Sequence, residues 1–277
     1  DVIDAMVASY AQASAGGEIR VDRAAIEKAL GLDVPIPVQY VRWLGNIILR
    51  GDFGQSIWKG TPVIKDIMKR LPATFELGII GVILAQIIAL PIGIFSALRQ
   101  DTWGDYLARS FAILCIAVPS FWVATMIIVF PSIWWGWSPP IMYIRFSDDP
   151  LGNLGMFILP AITLGMGFSG TTARMTRTMM LNVLRQDYIR TAWSKGMRER
   201  QVVLRHALKN ALIPIITIVG LYFTVIVGGT VIIEQIFGIP GMGWLLVNAT
   251  NQRDYPIVSG VMLIFAFALV IINLIVD

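Results

Sequence analysis

The chain has 277 residues, of which 56% are hydrophobic and only 14% are charged. A soluble globular domain carries charge at about 25% of its positions, so this composition predicts an integral membrane protein. The net charge of +4 does not indicate nucleic-acid binding, because the basic residues cluster beside apolar segments.

Residues 1–73 are more polar than the rest of the chain and form the first predicted domain. An amphipathic helix is predicted around Val21–Leu30 and ends before Pro35, because proline breaks a helix. Val38–Leu49 is predicted to be an interfacial helix, with Trp43 at the depth of the lipid headgroups. No part of this domain is long and apolar enough to span a bilayer.

Residues 74–277 form the second predicted domain, an all-α polytopic membrane bundle. About 20 apolar residues cross the ~30 Å hydrocarbon core of a bilayer, and five segments are long enough. Pro119 and Pro131 are predicted to kink the second segment, and the third is rich in glycine and threonine, which permit close helix packing. The predicted spans are Thr74–Leu98, Tyr106–Trp135, Leu154–Met179, Ala211–Ile236 and Pro256–Val276.

Lysine and arginine in short loops predict the orientation, because such loops stay on the cytoplasmic side. Nine basic residues lie between Arg174 and Asn210 and two lie in Arg99–Arg109. The two remaining loops, Gly136–Asn153 and Gln235–Tyr255, carry one basic residue each. The two basic segments are therefore predicted to be cytoplasmic, and the other two loops and the first domain external.

Residue types that carry enzyme chemistry are sparse. The single histidine, His206, cannot supply the three or four ligands of a zinc site, and the single cysteine, Cys115, cannot form an intrachain disulfide. No GxxxxGK[ST] run is present to hold ATP phosphates, and the spans contain no paired carboxylates or nucleophile motif. We predict a non-catalytic chain with no metal site and no cofactor of its own.

The most basic stretch, Asp187–Pro214, lies between the third and fourth predicted spans. Gly196 divides it into two amphipathic halves, since glycine ends a helix in a left-handed conformation without a Cβ penalty. The pattern predicts a helix–turn–helix over 181–213 at the cytoplasmic membrane face, with basic side chains available to a partner. Two sets of residues share a helical stripe by their spacing, and all but Arg200 and Tyr188 are apolar. They are Leu181, Leu184, Tyr188 and Ala192 before the glycine, and Arg200, Leu204, Ala207, Leu208, Ala211 and Leu212 after it.

This stretch resembles the cytoplasmic loop of ABC importer permeases in the dipeptide/oligopeptide family. The version in that family looks like Tyr-x-Arg-Thr-Ala-x-x-Lys-Gly followed by Arg-His-Ala-Leu-x-Asn-Ala. Arg190-Thr191-Ala192 stands where the general loop has Glu-Ala-Ala, and Gly196 is in register. A second stretch, Glu234–Pro256, also resembles this family, in its first-permease (B-type) branch. The matching loop residues are Tyr188, Arg190, Thr191, Ala192, Lys195, Gly196, Arg205, His206, Ala207, Leu208, Asn210 and Ala211.

The resemblance implies one permease subunit of an importer in the cytoplasmic (inner) membrane of a bacterium or archaeon. The implied partners are a second homologous permease, two ATP-binding cassette ATPases that bind ATP and Mg, an extracytoplasmic solute-binding protein and the lipid bilayer, with no nucleic acid. Permeases of this branch have six spans. We therefore expect a further span ahead of Asp1, which the external start and the odd number of spans also indicate.

The resemblance also assigns roles to residues. Coupling to the ATPase falls on Tyr188, Arg190, Thr191, Ala192, Trp193, Lys195, Gly196, Met197 and Arg198. The external gate and the docking of the binding protein fall on Glu234, Phe237, Pro240, Gly241, Trp244 and Asp254, for which an ordinary capped loop is the alternative. Independently of the resemblance, Gln86, Gly228 and Gly229 are interpreted as pathway or hinge positions, with a hydrogen bond to a neighbouring helix or tight packing as the alternative.

The sequence thus predicts a permease subunit that forms half of a translocation pathway for di- or oligopeptides. A nickel chelate or glutathione is the alternative solute, because some relatives of this branch carry them. An ion-driven secondary transporter is the rival mechanism, and it would need charged groups deep in the spans. A membrane enzyme or scaffold is the rival class, and catalysis would need a convergent polar site.

Overall fold

A computed structural model describes residues 33–140 and 142–276, and these residues form helices with no named β-strand among them. The predicted helix Val21–Leu30 lies outside the described residues. The helices are α1 (Ile36–Arg50), α2 (Val63–Leu98), α3 (Trp103–Ala117), α4 (Ser120–Trp135), α5 (Pro150–Leu184), α6 (Asp187–Ser194), α7 (Glu199–Gln201), a π-helical turn (Val202–Ala207), α8 (Leu208–Gly229), α9 (Val231–Phe237), α10 (Met242–Asn251) and α11 (Tyr255–Val276).

Four helical segments in the described residues are long and apolar enough to cross a membrane. Two further pairs of helices pass the same test together but bend sharply, by 93° between α3 and α4 and by 85° between α9 and α10. By length and composition, the described residues therefore contain four candidate spans, or up to six if each bent pair counts as one. The all-α polytopic bundle is confirmed. The four continuous segments are Val63–Leu98, Pro150–Leu184, Glu199–Ile226 and Tyr255–Val276.

The second predicted span, Tyr106–Trp135, is two helices instead of one kinked helix. Val118 adopts an extended conformation (φ −81°, ψ 124°), because the residue before a proline avoids the α region, and Pro119 is the N-cap of α4. Pro131 does not end α4, which continues to Trp135. The fourth predicted span, Ala211–Ile236, is likewise wrong in its continuity, since α8 ends at Gly229 and α9 is a separate helix.

The chain divides into two compact units, and the described part of the smaller one comprises residues 33–66 and Asn248–Gly260. Its helix α1 has no buried residue, and it ends at Gly51 in the left-handed conformation. The buried carboxylate of Asp254 holds the following loop: it accepts a 2.5 Å hydrogen bond from Ser56 Oγ and a 3.2 Å bond from the Ile57 amide. The Trp58 indole donates to the Gln252 carbonyl at 2.7 Å.

The larger unit, Ile67–Val247 with the chain from Val261 onward, is centred on α5. A Cβ added to Gly165 would lie 2.6 Å from the Gly81 carbonyl oxygen of α2, and one added to Gly170 would lie 2.6 Å from the Ala112 carbonyl oxygen of α3. Neither position has room for a side chain, so α2 and α3 approach α5 backbone to backbone. The predicted close packing of the third span is confirmed at these two glycines, whereas Gly167 faces open space.

An ion pair joins α3 to α5 inside this unit. The fully buried carboxylate of Asp105 accepts two hydrogen bonds from the Arg177 guanidinium, 2.8 Å from Nε and 2.7 Å from Nη2. It also accepts from Ser96 Oγ of α2 and from the Asp101 amide at 3.1 Å. Each carboxylate oxygen is therefore paired, which offsets the cost of removing the charge from water.

We predict that Arg177→Gln lowers the free energy of unfolding by about 3–5 kcal/mol, because it leaves the Asp105 carboxylate buried without its counter-ion. Unfolding in mixed detergent micelles, followed by tryptophan fluorescence, measures the change. The matched control is Arg190→Gln, because Arg190 pairs with Asp187 in the exposed part of α6, where both side chains are largely solvated. Equal stabilities for the two variants would contradict this account of the ion pair.

Candidate functional site

The short helix α6 has one buried and one exposed face. Ile189 is fully buried and Ala192 is 7% exposed, and both pack with Met180 of α5 and with Ala97 of α2. Tyr188 and Trp193, which flank this buried face on either side, are 44% and 45% exposed. The helix therefore rests on the bundle and presents aromatic side chains outward.

The predicted turn at Gly196 is confirmed. Its φ is +71°, and the amides of the turn return to the last carbonyls of α6: Gly196 to Trp193 at 2.9 Å, and Met197 to Ala192 at 3.4 Å. An added Cβ would meet nothing within 4 Å, so the demand for glycine here comes from backbone conformation alone.

After the turn the chain enters a π-helical turn, Val202–Ala207, which the sequence pattern did not predict. A π turn bonds i to i+5 and so shifts which side chains share a face. Val202, Val203 and Ala207 are buried, whereas Leu204 is 48% exposed. Leu204 and Ala207, which were assigned to one helical stripe, therefore differ in burial.

The outward side of this segment is basic and aromatic, and we call it the α6 surface. Asn210 Nδ2 donates to the Tyr188 hydroxyl at 2.7 Å, which ties α6 to α8. Met197 is half-buried beside the cluster under α6. The α6 surface comprises Tyr188, Arg190, Thr191, Trp193, Lys195 and Arg198, all exposed.

One residue assigned to coupling, Ala192, faces the chain's own helices. Its side chain packs on the bundle and is only 7% exposed, and its role in coupling stays a prediction. Ala192 thus contributes to the α6 surface by holding α6 in place. Trp193, next to it, has the accessible side chain.

The second predicted region centres on the fully buried carboxylate of Glu234, in α9. Its Oε1 accepts from Thr74 Oγ1 at 2.7 Å and from Thr230 Oγ1 at 3.0 Å, and its Oε2 accepts from the Trp244 amide at 2.9 Å. Thr74 Oγ1 in turn accepts from the Met242 amide at 2.8 Å. A carboxylate at the first amides of α10 satisfies donors that have no partner within the helix.

Two glycines allow the loop to close over Glu234. A Cβ on Gly241 would lie 2.4 Å from the Glu234 carboxyl carbon, and one on Gly243 would lie 2.6 Å from the Val231 Cα. The Trp244 ring, half-buried, has the Arg70 guanidinium 4.5 Å from its centroid. The bend between α9 and α10 is therefore tightly packed around Glu234, and we call it the Glu234 corner.

Four of the six residues assigned to the external gate and to docking are buried, and their roles stay predictions. Glu234, Phe237 and Gly241 lie inside the larger unit, and Asp254 is buried in the smaller unit, bonded to Ser56. Pro240 and Trp244 are half-buried. These side chains support the backbone of the loop.

The three predicted pathway or hinge residues differ from one another. Both amide atoms of Gln86 are buried and have no hydrogen-bond partner within the described residues, so the hydrogen bond to a neighbouring helix is not found there. Gly228 faces open space, so no packing contact is found for it within the described residues. Gly229 is the last residue of α8.

Sequence reasoning missed Glu76, which lies two residues inside the first predicted span. Its Oε2 accepts from Tyr143 Oη at 3.0 Å and from Asn153 Nδ2 at 3.1 Å, so it joins α2 to the start of α5. Burial and the bond to Glu76 raise the pKa of Tyr143 to about 12, so the phenol stays protonated as a donor. The signal was a carboxylate at the edge of an apolar run.

A multi-pass helical bundle with bent spans and an amphipathic basic helix–turn–helix between two long helices is the architecture of a membrane permease. The chain belongs to the family described as binding-protein-dependent transport system inner membrane component, which matches residues 89–277. A second family, described as the N-terminal part of the same membrane component, matches residues 3–78.

Curated relatives cover most of the chain. A protein of Brucella suis biovar 1 (strain 1330) that carries the name of a peptide transport system permease is 43% identical, over 93% of this chain and 81% of its own length. The oligopeptide transport system permease protein AppB of Bacillus subtilis (strain 168) is 41% identical over 93% and 82%. The glutathione transport system permease protein GsiC of Pectobacterium atrosepticum is 38% identical over 96% and 85%.

Solved structures share the fold at low sequence identity. A chain of the methionine ABC transporter MetNI, in an inward facing conformation, superposes with a TM-score of 0.61 at 14% identity. The match covers 76% of this chain and 93% of that one. A chain of an amino acid ABC transporter with histidines gives 0.56 at 16% identity, over 77% and 92%.

We predict that Gly243→Ala lowers the free energy of unfolding by about 1–3 kcal/mol, because the new methyl group overlaps the Val231 backbone and displaces the Glu234 carboxylate. Gly228→Ala is the matched control: its methyl group enters open space in a helix, where alanine is favoured over glycine by about 1 kcal/mol. Chemical unfolding in detergent compares the two. If Gly243→Ala were as stable as Gly228→Ala, the corner around Glu234 would not be tightly packed.

Proposed function

We propose that this chain is a permease subunit of an ATP-driven ABC importer and forms half of a translocation pathway for di- or oligopeptides. Support comes from relatives 41–43% identical whose names specify peptide or oligopeptide transport. A glutathione transport permease at 38% identity keeps glutathione, itself a small peptide, as the second candidate solute. An external solute-binding protein delivers the solute, and a second homologous permease completes the pathway.

The observation that supports the coupling role is the α6 surface. It combines two exposed aromatic side chains with exposed Arg190, Lys195 and Arg198, on a short helix fixed to the bundle by its buried face. Exposed aromatics and arginines are enriched at interface hot spots, and basic side chains match acidic residues on a partner. We infer that two ATPase subunits, which bind ATP and Mg, dock here and at the equivalent surface of the second permease.

Motion can pass from the α6 surface into the bundle through contacts in the described structure. Ile189 and Ala192 pack against α2 and α5, and the Tyr188–Asn210 hydrogen bond reaches α8. A push on α6 therefore acts on three long helices. In this proposal ATP binding and hydrolysis alternate the pathway between outward and inward openings.

This proposal places the α6 surface on the cytoplasmic side of a bacterial inner membrane and the Glu234 corner on the external side. The corner, with its bent α9–α10 pair, is proposed as part of the external gate, and its backbone as the part that moves. The basic residues around α6 support this orientation.

An ion-driven secondary transporter stays the rival mechanism, and it would need charged groups deep in the spans. Glu76, Asp105 and Glu234 all lie within or beside apolar helices. All three accept hydrogen bonds from fixed donors, which favours a structural role over reversible ion binding.

We predict that Trp193→Ala reduces ATP-driven peptide uptake about tenfold or more, because truncating an aromatic hot spot costs about 2 kcal/mol or more of binding energy. Uptake and ATPase activity are measured with the complete transporter in proteoliposomes. The matched control is Trp135→Ala, which removes an exposed tryptophan outside the α6 surface, at the end of α4. If both variants transported like the wild type, the α6 surface would not be the coupling site.

A further inference from the structure

Helix α5 carries an exposed polar stripe although it is one of the spans. Thr171, Arg174 and Thr178 are spaced by three and four residues, so they lie on one helical face, and all three are exposed. The opposite side of the same helix, which includes Thr172 and Thr176, is buried in the bundle. Arg174 is also the first residue of the basic segment predicted to be cytoplasmic, so this face is expected to border water or a ligand at the cytoplasmic end of the span.

The stripe lines an open groove of about 280 Å³. Its other lining residues are apolar: Ile116 at the end of α3, Met175 of α5 and Ile218 of α8. Apolar walls with a few converging polar groups are the usual composition of a small-molecule site.

Within the described residues, the Arg174 guanidinium has no salt bridge and no hydrogen bond. The nearby acid, Asp105, is already saturated by Arg177, Ser96 and the Asp101 amide. All N–H donors of the Arg174 guanidinium are therefore available, and two of them can bind a carboxylate in a bidentate geometry.

The threonines supply the complementary chemistry. Thr171 Oγ1 donates to the Gly167 carbonyl at 3.2 Å, and Thr178 Oγ1 donates to the Arg174 carbonyl at 3.0 Å. Each hydroxyl proton is thus in use, and the oxygen lone pairs are left as acceptors for N–H groups. A groove with one cation and two acceptors matches a molecule with a carboxylate and amide or ammonium N–H groups.

We propose that the groove lined by Thr171, Arg174 and Thr178 is a solute-contacting station of the pathway, at which Arg174 binds the terminal carboxylate of a peptide. This inference rests on the proposed function and deepens it: it names the chemical group of the solute that the permease itself recognises. Arg174 is then a specificity-determining residue of this chain, in addition to the selectivity of the binding protein.

The test uses the complete transporter, with both permeases, the ATPases and the binding protein, in proteoliposomes. The probes are trialanine and its C-terminal amide, each checked first for binding to the isolated binding protein. The variants are Arg174→Gln, Arg174→Lys and the control Arg145→Gln, which removes an exposed arginine from the loop before α5. Comparing each variant with the wild type on the same probe cancels the preference of the binding protein.

We expect Arg174→Gln to reduce trialanine uptake by at least about tenfold, because a charge-assisted pair is lost, and to change uptake of the amide less than about twofold. Arg174→Lys retains part of the trialanine uptake, and Arg145→Gln behaves like the wild type. Equal losses for both probes, or no loss for either, would overturn the inference.

Three other outcomes assign the arginine to a different ligand or test the underlying function. Loss of the second permease on purification of Arg174→Gln would show that Arg174 pairs with that subunit, and the inference would be wrong. A loss confined to vesicles that contain phosphatidylglycerol would identify a lipid headgroup as the ligand, with the same consequence. If the wild type imports neither probe although the binding protein binds both, the proposed peptide function itself fails.

Discussion

The close approach of α2 and α3 to α5 is the constraint on which the rest of the structure depends. Gly165 and Gly170 bring the helix backbones together, with no space for a side chain at either crossing. That packing sets Asp105 against Arg177 and Glu76 against Asn153, so that buried charges meet their partners. It also leaves the remaining face of α5, with Arg174, directed away from the core.

Buried carboxylates organise the corners of the fold in the same manner. Asp105, Glu234 and Asp254 are each almost completely buried, and each accepts hydrogen bonds from residues distant in sequence. In a low-dielectric interior an unpaired charge is costly, so such residues fix one arrangement of the chain. Corners fixed by buried carboxylates, and a helix α6 packed on α2 and α5, fit the proposal that ATPase motion is transmitted through α6 to whole helices.

The sequence predicted the features that depend on local chemistry. The turn at Gly196 and the packing glycines of α5 follow from backbone rules, and the structure has them. Pro119 was predicted to kink one helix, whereas the structure has two separate helices there. The sequence did not predict the π turn at Val202–Ala207, because periodicity assumes a constant number of residues per turn.

The burial of Glu234 and Asp254 was not predicted, because their hydrogen-bond partners, Thr74 and Ser56, are 160 and 198 residues away in the chain. Glu76 was overlooked because a carboxylate at the edge of an apolar run resembles a flanking charge. Side-chain burial depends on long-range packing, which a single sequence does not contain.

The most direct test of the central claim is co-purification. The chain is tagged, extracted in mild detergent from membranes that express the whole transport system, and its partners are identified by mass spectrometry. We predict recovery of a second permease together with ATPases that carry a phosphate-binding P-loop. A homo-oligomer free of any ATPase would contradict the importer account and make a self-contained transporter the leading interpretation.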